Sequence, residues 1–180
     1  MGKLIELILS DRETIQLLLL ARHYVGLAKE ALQRVKDTSI TVKQVAEFSI
    51  KYRPDSIDAE NETFGHIASA AIRLATIAEK YENNGRLDLG KNYRTYLKEG
   101  HTIQETIDEV SRNLSEYIHI LFRDIVGHTE ETDKEWAKNY AEVREKVRPE
   151  ITLAKAFDAV EKLHSKIEGE LLREGMVIDC

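Results

Sequence analysis

Apolar residues recur every three or four positions along most of this chain, and no segment sustains an alternating pattern. A three-to-four spacing lays one apolar stripe along a helix, whereas a half-buried strand needs a period of two. Near the C-terminus the stripe runs Leu153, Phe157, Val160, His164, Ile167 and Leu171. Another runs Ile103, Ile107, Val110, Leu114, Tyr117, Leu121 and Ile125, and a shorter one Trp136, Tyr140, Val143 and Val147. With nine Gly and two Pro in 180 residues, the chain lacks the turn material of an all-β fold. The expectation is an all-α fold: a single domain spanning 1–180, built as a bundle of five to six helices joined by short loops.

Local signals set the expected boundaries. Ser10 and Glu13 form a capping box, in which the hydroxyl and the carboxylate satisfy helix-start amides, opening a long first helix to about Lys36. Residues 2–9 precede it as a short apolar segment. Thr41 and Gln44 open a short helix to about Tyr52, and Pro54-Asp55-Ser56 marks the next break. A third helix is expected from about Ile57 to Glu82, stopped by Asn83-Asn84-Gly85, residues that tolerate a left-handed cap. Residues 83–101 form the least regular connection, with one short helix around Tyr93–Lys98. A fourth helix runs from Thr102 to about Gly127, and Thr132 with Glu135 boxes a fifth. Pro149 suits the first position of a sixth, where its missing amide costs nothing, and Gly175 ends it.

The first long helix is apolar over more than one face. Ile15, Leu18, Ala21, Val25, Ala28 and Leu32 make a broad face flanked by Leu17, Tyr24 and Val35. Leu19, Leu20 and Leu27 point roughly the opposite way, with His23 among them. Leaving three leucines in water forgoes about 1.5–3 kcal/mol of burial each. Either the helix is central and wrapped by the others, or Leu19, Leu20, His23 and Leu27 form an interface with a partner or a second copy.

Charge and cysteine content narrow the function classes. The chain carries 32 acidic and 26 basic side chains, a formal charge of −6, so as a whole it is not a polyanion binder. Its one cysteine, Cys180, cannot form an internal bridge, which suits a reducing, cytoplasmic setting and excludes cysteine-based zinc spacings. The apolar N-terminal segment is broken by Glu6 and has no small-residue cleavage site, so a signal peptide is not expected. The longest apolar run, Leu17 to Ala21, is far too short to span a bilayer, and no membrane association is expected.

Several patterns bear on chemistry. Two E-x-x-H matches, Glu116/His119 and Glu161/His164, place a carboxylate and an imidazole one turn apart, as half of a di-iron carboxylate site does. Glu116 faces away from the stripe of its own helix, and a core histidine bonded to backbone accounts for His164, so no metal site is expected. Glu79-x-x-Glu82 followed by Glu105-x-x-Asp108 resembles the E-x-x-E…E-x-x-D pattern of all-α nucleotide pyrophosphohydrolases, which would imply carboxylates holding Mg²⁺ on a triphosphate. Solvated helix faces explain the same four residues. The loop residues Lys91, Tyr93, Arg94, Tyr96 and Lys98 interleave bases with aromatics, a mix suited to phosphate contact and base stacking. Residues 42–57 carry half of a helix-turn-helix pattern, but Ile50 stands where the turn needs Gly. Phosphate-cradling loops, dinucleotide fingerprints and hydrolase elbows are missing from the sequence, and no cofactor is expected.

Two segments, R-N-L-S-E-Y-I-H from Arg112 to His119 and R-D-I-V-G-H from Arg123 to His128, set an Arg followed by Asn or Asp ahead of a His. This resembles the signature of HEPN-type ribonucleases and their toxin relatives, small all-α proteins that are usually dimers. The resemblance implies metal-independent RNA cleavage, with His119 or His128 moving the proton and Arg112 or Arg123 holding the scissile phosphate. It covers six to eight residues each time. The reading favoured by the whole sequence is a non-catalytic helical bundle acting by protein–protein contact and self-association; the ribonuclease, with RNA as partner, is the alternative.

Overall fold

The computed structural model describes residues 11–37, 53–83 and 148–178, together with single helical positions at 105, 108, 109, 112, 142 and 146. Three helices are defined: α1 (Asp11–Asp37), α2 (Arg53–Asn83) and α3 (Pro149–Arg173). The all-α class is correct for the described residues, which contain no strand. The expected segment 2–9, the connection 83–101 beyond Asn83, which ends α2, the Thr41 helix and the total of five to six helices lie outside the described residues.

The core forms where the three helices meet. α1 contributes Leu18, Ala21, Ala28, Ala31, Leu32 and Val35, all buried. α2 brings Ile67, Ala70, Ala71, Leu74, Ile77 and Ala78, and α3 brings Leu153, Ala156, Val160, Leu163, Ile167 and Leu171. Contact is most extensive between α1 and α2, and α3 lies against both. Both helices bury several alanines, side chains small enough to let two helices approach closely. The two run antiparallel, since Arg34 meets Glu62 while Tyr24 meets Arg73. Thr63, buried in this core, donates its hydroxyl to the Ala59 carbonyl at 2.7 Å, so its polar atom costs little.

Terminal chemistry fixes the third helix. Pro149 takes its first turn, and the Arg148 carbonyl accepts from the amides of Ile151 and Thr152 at 3.0 and 3.1 Å. Arg148 itself holds a left-handed backbone, φ 45°. At the other end, Gly175 adopts φ +83°. Its amide bonds to the Leu172 carbonyl and that of Met176 to the Leu171 carbonyl, both at 3.1 Å, the paired bonds of a Schellman cap. Met176 then folds onto the core, where its sulfur accepts the Tyr81 hydroxyl at 3.6 Å and ties the end of α3 to the end of α2.

One boundary departs from the sequence expectation. α2 starts at Arg53, ahead of the expected Ile57, and takes Pro54 into its first turn. The Pro-Asp-Ser run reads as a break, yet a proline in the first turn removes an amide that has no helical partner there.

Candidate interaction surface

α1 has two unlike sides. Its inner face is sealed: Leu18, Ala21 and Val35 have no exposed surface. Of the four residues expected at an interface, Leu20 keeps 43% of its surface exposed, His23 is exposed, and Leu19 and Leu27 are half-buried. The structure thus places Leu20, His23 and Leu27 outside the core, on the flank that borders α2, with Leu19 at the far edge of the same flank.

Tyr24 lies between that flank and the core, on the α1–α2 seam. The Arg73 guanidinium sits over its ring at 4.6 Å from the centroid. His23 meets the ring edge-on at 5.5 Å between centroids, and His66 tilts toward it at 6.1 Å. Arg73 also donates to the Ser69 carbonyl at 2.9 Å. Further along the seam Arg34 pairs with Glu62 at 2.7 Å, and His66 Nε2 stands 3.6 Å from the same carboxylate. The hydrogen bond from Arg34 holds the Glu62 carboxyl below its ordinary range.

The α1–α3 seam has a different character. His164 is buried against α1, its Nδ1 is 3.6 Å from Glu168 one turn on, and Glu168 is bonded across the seam by Arg22. Among the described residues, His164 Nε2 is buried with no hydrogen-bond partner. Burial pushes the His164 imidazole below its ordinary value and Arg22 adds to this; the carboxylates of Glu168 and Glu161 and the Leu18 backbone oppose it. The expected core histidine is therefore in place, but its carboxylate neighbour is Glu168, four residues after it. Glu161, the E-x-x-H residue, is exposed. No sequence signal pairs Arg22 with Glu168, because their meeting depends on how α3 lies on α1. Glu60, fully buried on α2, was also not singled out by the sequence.

The remaining sequence candidates are scattered or outside the described residues. Glu79, Glu105 and Asp108 are exposed. Among the described residues no three His, Cys, Asp or Glu side chains are grouped to hold a metal ion. Arg112 is exposed, and its Nε donates to the Asp108 carbonyl at 3.4 Å, one turn back along its own helix. His119, Arg123 and His128, like Lys91, Tyr93, Arg94, Tyr96 and Lys98, lie outside the described residues. No described helix is long and apolar enough to cross a membrane.

Comparison with protein-family models, with curated proteins and with solved structures finds no match to this chain. The functional reading therefore rests on the geometry of α1 and its two seams.

Proposed function

We propose that this protein acts by protein–protein contact, as a self-associating helical bundle that docks through the outer flank of α1, in a reducing, cytoplasmic setting. The observation that carries the reading is the exposure of Leu20 beside His23 and the half-buried Leu27 on a helix whose inner face is already sealed. Covering such a leucine on association recovers part of the ~1.5–3 kcal/mol that full burial is worth. A chain with a net charge of −6 needs an apolar contact of this kind to offset repulsion between copies.

The test is the light-scattering mass of the wild type beside a Leu20→Glu/Leu27→Glu variant, with far-ultraviolet circular dichroism on both. The wild type is expected above its single-chain mass of 20.6 kDa, and the variant at that mass with helicity retained. Equal monomeric masses would contradict the reading. Incubation with RNA in EDTA is expected to leave the RNA intact. Cleavage abolished by His119→Ala or His128→Ala would replace this reading with the ribonuclease.

A further inference from the structure

On the outer flank of α1, Gln16, Leu20, His23, Leu27, Glu30 and Arg34 follow one another at steps of four and three. At about 100° per residue they fall within roughly 80° of arc, the narrow seam that a second helix can follow. All but Leu27 are exposed, so the strip is open along its length. Its middle is apolar and its ends are polar. Arg12 stands at the N-terminal end of its outer edge, and Glu30 and Asp37 at the C-terminal end. Among the described residues, Asp37 accepts a hydrogen bond from the Gln33 amide at 2.8 Å.

Resting on the self-association proposed above, we propose that the occupant of this strip is the α1 helix of a second copy, laid antiparallel, so that Arg12 of each copy faces Asp37 of the other. The charges decide the direction. A parallel pair in register would set Arg34 against Arg34 and gather both Arg12 side chains at one end and both Asp37 side chains at the other, like charges together. Turning one copy around places Gln16 opposite Arg34, Leu20 opposite Glu30, where the Leu20 side chain packs on the aliphatic stem of the glutamate, and His23 opposite Leu27 at the centre. It also brings the positive edge of each strip to the negative edge of the other, and it opposes the two helix dipoles. A 27-residue helix is about 40 Å long, so both charged ends engage while the two His23–Leu27 pairs lie at the middle. The contact is isologous: one surface serves both copies and closes the assembly at two.

Charge reversal tests the direction without disturbing the core, since Arg12 and Asp37 are both exposed. Arg12→Asp alone and Asp37→Arg alone are each expected to weaken dimerisation about fivefold or more at low salt, and the two reversals in one chain to restore it. In a parallel pair the double reversal restores nothing. Disulfide trapping in a Cys180→Ser background reads orientation directly. Gln16→Cys chains mixed with Arg34→Cys chains should cross-link, and Gln16→Cys chains alone should not. Self-linking of Gln16→Cys in a protein that is dimeric by mass overturns the antiparallel arrangement and leaves self-association standing. A wild type that is monomeric at every concentration removes both.

Discussion

The two seams of α1 hold the described helices together in different ways. α1 and α2 share the most extensive contact, and both bury small residues: Ala21, Ala28 and Ala31 on α1 and Ala70, Ala71 and Ala78 on α2. The Arg34–Glu62 pair stays at the rim, both side chains about half exposed, while Thr63 and Glu60 of α2 are buried. Against α3, the contact takes in a titratable ring, His164, and an Arg22–Glu168 pair that bridges the helices. The first seam carries its titratable pair, Glu62 and His66, at the rim, where Arg34 holds the Glu62 carboxyl below its ordinary range. The second encloses His164, whose burial pushes its imidazole below the ordinary value. Among the described residues, α1 packs against α2 and α3 through its inner sides, and the heptad-spaced strip lies on the remaining side.

The comparison can be broken by substitution. Leu74→Ala, in the buried cluster on α2, is expected to cost about 2–5 kcal/mol in urea unfolding, the largest effect of the set. A loss under 1 kcal/mol would mean that the site collapses freely and that the core is loosely packed. Ala21→Leu tests the close α1–α2 approach and is expected to cost about 1–3 kcal/mol by overpacking. A stabilised variant would show that the seam has room.

Gly175→Ala places a β-carbon on a left-handed backbone and is expected to cost about 1–2 kcal/mol. Nothing lies within 4 Å of the added carbon, so the whole cost is conformational and a thermal melt should report it without loss of helicity.

The pH experiment addresses the α1–α3 seam, with a smaller effect because Glu168 and the Leu18 backbone partly offset the burial of His164. The folded imidazole titrates below its unfolded value, which is about 6.5. Stability is therefore complete above that value and declines as pH falls from it toward the depressed folded value, where the unfolded chain binds a proton that the folded chain resists. His164→Leu should remove this part of the pH dependence; an unchanged slope would assign it to other groups. Smallest of all, Arg34→Ala should leave the melting temperature unmoved, because the pair it breaks is exposed on the rim.

Much of α3 was legible in the sequence. All six residues of its stripe are buried, Pro149 opens it, and Gly175 terminates it through the backbone freedom that made it a stop signal. α1 was nearly as clear, although Val35 lies fully inside the core and not on its flank, while Ile15 and Val25 are only half-buried. The start of α2 was misplaced because the sequence around Pro54 reads the same whether the proline breaks a helix or opens one. The site was legible on one helix and hidden between helices. Leu20, His23 and Leu27 declare themselves by spacing along α1. The Tyr24–Arg73 stack and the Arg22–Glu168 bridge join residues 49 and 146 positions apart, and no local pattern encodes the register that brings them together.

The central claim is that α1 seals one face within its own chain and offers another to a second copy. Sedimentation equilibrium over a wide range of loading concentrations tests it most directly. The weight-average mass should climb with concentration from 20.6 kDa toward twice that value, and Leu20→Glu/Leu27→Glu should hold it at 20.6 kDa throughout. A wild-type mass fixed at 20.6 kDa up to the highest concentration would contradict it.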